Sequence, residues 1–206
     1  MPEFIYNPDE QNYFNRFPEN ARGYNLWLRL VEQPVAENLK ALQELLRFSP
    51  PPHCPCLFVS HRQADRDNAL SMAYLAYQNK FQYWVDVLDP YLQAAGITAN
   101  AILTAGIIEM ALLNCTHVVA LMTLNTPGSA WIPYEYGRLA EYPALTNNAV
   151  AWRHPGFPSN NIPEYMLLRN VHETKDVAAW LMHEYKPYNC HTKWIGPANP
   201  YPSPLP

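Results

Sequence analysis

Charge is scarce in this 206-residue chain, and the scarcity narrows the field at once. Asp, Glu, Lys and Arg make up 16% of the residues, against about 25% in an ordinary soluble domain. Basic residues are the rarer sign, 14 Lys and Arg against 18 Asp and Glu, for a formal net charge of −4. Sequence-independent binding of nucleic acid needs a basic footprint, so that class is excluded. A small anionic ligand held by a few local donors is not. Glycine is sparse too: there are seven, and no GxGxxG or GxxxxGK[ST] among them. Without such a phosphate cradle, a dehydrogenase or a P-loop nucleotidase does not fit. GxSxG is missing as well, which argues against a hydrolase of the nucleophile-elbow type.

Cysteine and long apolar runs are also in short supply. Cys54, Cys56, Cys115 and Cys190 are too few for a disulfide scaffold. The string His53-Cys54-Pro55-Cys56 lacks the spacing of a zinc pair, usually about two to four intervening residues. Its only distant partners are Cys190 and His191, so no metal is expected, and the two cysteines read as small residues leading into a strand. The most apolar stretch, 105–124, is broken by Glu109, Asn114, Thr116 and His117. A spanning helix needs about 20 nearly uninterrupted apolar residues, so this stretch reads as a buried helix running into a buried strand. The opening MPEFIYNPDEQNYF has neither a basic segment nor an apolar one of the secretory kind. The expected location is cytoplasmic, away from any membrane.

What is present is core-forming sequence: 49% of residues are apolar. Three zones separate. Residues 1–52 form an N-terminal helical extension, in which Val35, Leu39, Leu42 and Leu46 fall at helical spacing after Pro34. The earlier cluster Leu26, Trp27, Leu28, Leu30 and Val31 reads as another short helix that must pack on the main domain or on a second copy, and the Val35/Leu39/Leu42/Leu46 stripe leads to the expectation of a homo-oligomer. Residues 53–185 alternate between strand-like and helix-like segments. Strands are predicted at 56–60, 81–88, 117–123 and 149–152, with a weak fifth at 165–168. Helices are predicted at 65–78, 101–114, 131–141 and 174–185. Such alternation implies an α/β fold, a doubly wound parallel five-stranded sheet with helices on both faces. Residues 186–206 form a Pro-rich C-terminal tail with six prolines, which cannot continue a helix or a central strand.

Polar segments follow three of the predicted strands: Ser60-His61-Arg62-Gln63-Ala64-Asp65, then Asp86-Val87-Leu88-Asp89-Pro90, then Asn125 to Ser129 leading into Trp131-Ile132-Pro133-Tyr134-Glu135. In a doubly wound sheet all three converge on the carboxyl edge, where ligands bind. Trp131 and Glu135, four apart, share a helix face.

In order and spacing these elements resemble the TIR domain family. The resemblance is carried by LFVSHRQADRDNA, YWVDVLDP, IIEMALLNCTHVVALMT, SAWIPYEYGR and the late YMLLRN…DVAAWL, and it covers residues 53–185. It implies a flavodoxin-like TIR fold. TIR domains divide into adaptor scaffolds and enzymes that cleave NAD+, and the enzymes use a glutamate at the position that Glu135 occupies here. The resemblance therefore implies Glu135 as the catalytic residue, with Ser60, His61, Arg62, Asp86 and Trp131 as substrate-binding residues. NAD+ would be the substrate, with no further cofactor. Small TIR proteins of bacterial antiphage defence, such as those of Thoeris systems, are similar, and they pass an ADP-ribose-derived signal to a separate effector. The loop after Asp89-Pro90, YLQAAGITANAIL, departs from the basic, glycine-rich loop of many members, which bears on assembly.

Each residue has a plainer reading beside the functional one. Glu135 could be a first-turn acid that complements the helix dipole. Arg62 could be a pyrophosphate partner or a solvated loop arginine, and Asp86 a ligand or a strand-end hydrogen-bonding group. Trp131 could be a core or lip aromatic. Tyr83, Trp84 and Tyr134 read as packing. At the level of the whole protein the alternatives are a non-enzymatic TIR scaffold for homotypic assembly, or a nucleoside deoxyribosyltransferase-like enzyme.

Overall fold

The structure is a computed structural model. It describes residues 55–89, 92, 101–140, 147–168, 170–172 and 174–185. The N-terminal extension with its Val35/Leu39/Leu42/Leu46 stripe, the Pro-rich tail, and Cys54, Cys190 and His191 lie outside the described residues.

Strand β1 is Cys56–Ser60, where the run CLFVS is buried throughout. Helix α1 is Arg66–Gln78, β2 is Gln82–Trp84, α2 is Ala101–Asn114 and β3 is His117–Met122. Helix α3 is Trp131–Ala140, β4 is Ala149–Arg153, β5 is Asn170–His172 and α4 is Thr174–Tyr185. The strands pair in the order β2-β1-β3-β4-β5, every pairing parallel. The α/β architecture expected from the alternation is borne out, and the order is that of flavodoxin-like sheets.

Alternation along each strand sorts the core onto two faces. Leu57, Val59, Tyr83, Val119, Leu121, Val150 and Trp152 pack with Ala69, Leu70 and Ala73 of α1 and with Val177, Trp180 and Leu181 of α4. Phe58, Ser60, Trp84, Val118, Ala120 and Met122 are buried on the other face. Right-handed crossovers place α2 and α3 there, and α3 touches β1, β3 and β4.

The order of the strands reverses between β1 and β3: the crossover after β1 goes to one side and those after β3 go to the other. The crevice at the carboxyl ends of those strands is the ligand position of such sheets. Two local devices aim α3 at it. Thr126-Pro127-Gly128-Ser129 is a tight turn, closed by Ser129 N–H donating to the Thr126 carbonyl at 3.1 Å. Gly128 sits there at φ +80, the left-handed place that a turn with Pro at its second position gives to glycine. Ser129 Oγ then accepts the Ile132 N–H at 3.2 Å and caps the helix start. At the far end, Asn148 Nδ2 donates to the Leu139 carbonyl at 2.6 Å.

Two expectations need correction. Residues 81–88 are not one strand, because the chain leaves the sheet after Trp84 and turns through Asp86–Leu88. Trp84 Nε1 donates to Asp89 Oδ2 at 2.8 Å, a bond that folds the segment back on itself. Residues 165–168 are not a strand either: Glu164–Leu168 is a tight helical turn, with Met166 N–H donating to the Pro163 carbonyl. The strand follows as Asn170–His172, short and without an apolar run. Among the described residues no helix is long and apolar enough to cross a membrane.

Candidate active site

Four residues from three separate segments meet at the carboxyl edge. Ser60 is the last residue of β1 and points to the α3 face, where it is 1% exposed. Its Oγ donates to Glu135 Oε2 at 2.5 Å, a short bond of the charge-assisted kind. His61, next in the chain, is turned inward, with its side chain 2% exposed. His61 Nδ1 lies 3.1 Å from the Val59 carbonyl. A carbonyl only accepts, so Nδ1 carries the proton of that bond. Nε2 then faces Asp86 Oδ1 at 3.1 Å. Asp86 itself opens the turn after β2 and stays about a third exposed.

Glu135 is the fifth residue of α3, not a first-turn acid, and it is 6% exposed. A charge at the helix start therefore does not explain it. Burial pushes its carboxyl from the ordinary 4.5 up to about 7, and the Asp86 carboxylate adds to the rise. The Ser60 hydroxyl and the His61 ring pull the other way without overcoming it. For His61 the balance reverses. Burial by itself would lower its pKa, but the Asp86 carboxylate, the Val59 carbonyl and Glu135 together hold it above 6.5. The cluster thus sets an imidazole that takes a second proton readily beside a carboxyl that changes state near neutral pH. Such a group serves as a proton acceptor or as a stabiliser of positive charge.

The other nominated residues stand apart from this cluster. Arg62 is exposed in the loop after β1, and among the described residues no side-chain bond ties it to Glu135. Trp131 is 41% exposed at the start of α3, and its ring meets that of Tyr134 edge-on at 5.9 Å. Tyr134 is 44% exposed, so its packing is a surface contact with Trp131 and not part of the core. Trp131 and Tyr134 make an aromatic rim beside the buried carboxyl. The packing read for Tyr83 and Trp84 holds, at 2% and 3% exposed, with Trp84 stacked on Phe58.

A second polar arrangement escaped the sequence reading. Asp65, 4% exposed just before α1, accepts from Thr123 Oγ1 at 2.7 Å and from Asn125 Nδ2 at 2.8 Å. It staples the loop after β1 to the loop after β3 and so fixes the segment that carries His61 and Arg62. A helix-capping position was the available signal, but the Asp65 side chain makes no capping bond. A cleft of about 360 Å³ opens beside this staple, lined by Asp67, Asn68, Leu124 and His154 among others. Glu135 is not in its wall, so this hollow and the buried acid are different features of one edge. Among the described residues no group of three His, Cys, Asp or Glu is placed to hold a metal ion.

No protein-family model and no curated protein matches this chain. Fold and site define its class: an α/β protein with a parallel sheet in the flavodoxin-like order and a buried acid at the carboxyl edge.

Proposed function

We propose that the chain is a TIR-domain NAD+ nucleosidase with Glu135 as its catalytic residue. The observation that carries the reading is a buried carboxyl, pushed up to about 7 and bonded by Ser60, at the reversal point of the sheet. The sequence resemblance supplies the family and the substrate. A pure scaffold has no need of a buried acid in that position, since leaving it there costs stability.

The chemistry asks little of the protein. Nicotinamide leaves NAD+ as a neutral molecule from a pyridinium, so no general acid is required. Breaking the bond between C1′ and the ring nitrogen puts positive charge on the ribose, as in glycoside cleavage. Glu135, ionised, opposes that growing charge and accepts from the ribose hydroxyls. Water then adds at C1′ and gives up one proton, yielding nicotinamide, ADP-ribose and H+. If a nucleophile of the substrate itself replaces water, the product is cyclic. His61 and Asp86 hold the carboxyl edge beside the ribose, Trp131 walls the opening, and Arg62 reaches the pyrophosphate. The protein works in the cytoplasm of a bacterium as a homo-oligomer, and its product signals phage infection to a separate effector.

The test is nicotinamide release from NAD+, read by liquid chromatography with mass detection, for the parent and Glu135→Ala. Release by the parent alone supports the proposal, and the mass of the co-product separates ADP-ribose from a cyclic form. Release from ordinary nucleosides but not from NAD+ indicates the deoxyribosyltransferase-like alternative. Silence of both proteins, with crowding agent and infected-cell lysate added, indicates the scaffold.

A further inference from the structure

The family resemblance implies Ser60 as a substrate ligand, yet its hydroxyl hydrogen already has a destination inside the protein. The residue is 1% exposed, and Oγ donates to Glu135 Oε2 at 2.5 Å. Glu135 takes no other hydrogen bond among the described residues. The two oxygens thus differ: one is fixed by the strand, and the other makes no hydrogen bond among the described residues. A glutamate side chain turns about three torsions, and pinning one oxygen to the rigid end of a central strand removes most of that freedom.

We propose that Ser60 is a positioning residue: its hydroxyl holds Oε2 of Glu135 so that Oε1 is the oxygen offered to the reacting ribose. This rests on the reading of Glu135 as the catalytic carboxylate. The backbone gives the reason for a serine here. Residue 60 is the last of β1, paired with Ala120 of β3, so its Cβ is set by two neighbouring strands rather than by a loop. Its side chain must leave on the α3 face by strand alternation. Serine reaches Glu135 from there with one short bond, and it leaves no second group to meet a ligand.

The experiment compares the parent with Ser60→Ala and Ser60→Thr, the latter keeping the hydroxyl. A hydrogen bond to a carboxylate favours its ionised form, so losing it moves the acidic limb of the kcat–pH profile upward by about one unit. At pH 7 kcat falls by about fivefold, while the KM for NAD+ stays within about twofold. The deficit shrinks in alkali, where Glu135 ionises regardless, and Ser60→Thr restores the parent profile. A raised KM with an unmoved acidic limb overturns the proposal and returns Ser60 to the substrate. A second readout needs no turnover: the carbon-13 carboxyl signal of Glu135, assigned with Glu135→Gln and titrated without NAD+. Its midpoint moves upward in Ser60→Ala and not in Ser60→Thr; an unchanged midpoint overturns the proposal even if no variant releases nicotinamide. Should Ser60→Ala fail to fold, Ser60→Cys, similar in volume and a weak donor, is read the same way.

Discussion

A carboxyl that loses its water on folding is easier to protonate than to ionise, and Glu135 at 6% exposed is in that position. Its pKa rises on folding from 4.5 to about 7. Between those values the folded chain holds a proton that the unfolded chain releases, so stability falls as pH rises through that window. Glu135→Gln removes the loss. The variant should be more stable than the parent at pH 8 by up to about 3 kcal/mol, and little different at pH 5. Urea unfolding at the two pH values checks this, and equal stability at pH 8 would count against it. The grouping of the four residues as one site was implied only by the family resemblance, while the places of Ser60, His61 and Asp86 after strands and of Glu135 on a helix were legible in the sequence. Their bonding was not. Ser60 and Glu135 are 75 residues apart in sequence, and nothing in a linear string assigns the serine hydroxyl to the acid rather than to a ligand. The inward turn of His61 toward Asp86 was hidden for the same reason.

Long or strongly apolar elements were read closely. Helices 101–114 and 174–185 and strand 56–60 coincide with α2, α4 and β1. Their patterns are long enough, or apolar enough, for burial to decide the conformation. Where a short segment depends on one side-chain bond, the pattern misleads. FQYWVDVL has the residues of a strand, but the Trp84–Asp89 bond and the turn at Asp86–Leu88 end it after three. The last strand, Asn170–His172, is polar and could be placed only by its pairing with β4. One element also carries a correctable strain. Helix α1 ends through Asn79 onto Lys80, which sits at φ 65. That left-handed conformation is costly for a side chain and free for glycine. Lys80→Gly should raise stability by about 0.5–1 kcal/mol with activity unchanged. Thermal unfolding reads the outcome, and a loss of stability would show that the lysine side chain matters more than its backbone.

At the scale of the whole molecule, the described residues of 55–185 form one layer of parallel sheet between two layers of helix, with the buried cluster of Ser60, His61 and Glu135 at the carboxyl edge. The stripe Val35, Leu39, Leu42 and Leu46 lies outside the described residues; its spacing in the sequence predicts an apolar face that needs covering. Light scattering after size exclusion should give a mass above that of one chain, lowered by Leu39→Glu with Leu42→Glu; a monomer at every concentration would contradict self-association. In the proposed reaction everything turns on the role of one ionised carboxylate, that of Glu135. Its most direct test is the rate of nicotinamide release from NAD+ by the parent and Glu135→Gln, followed from about pH 5.5 to 9. The rate should climb with a midpoint near the carboxyl's own pKa of about 7, and the variant should be slower by about a hundredfold or more throughout. Release that survives in Glu135→Gln, or that shows no acidic limb, would contradict it.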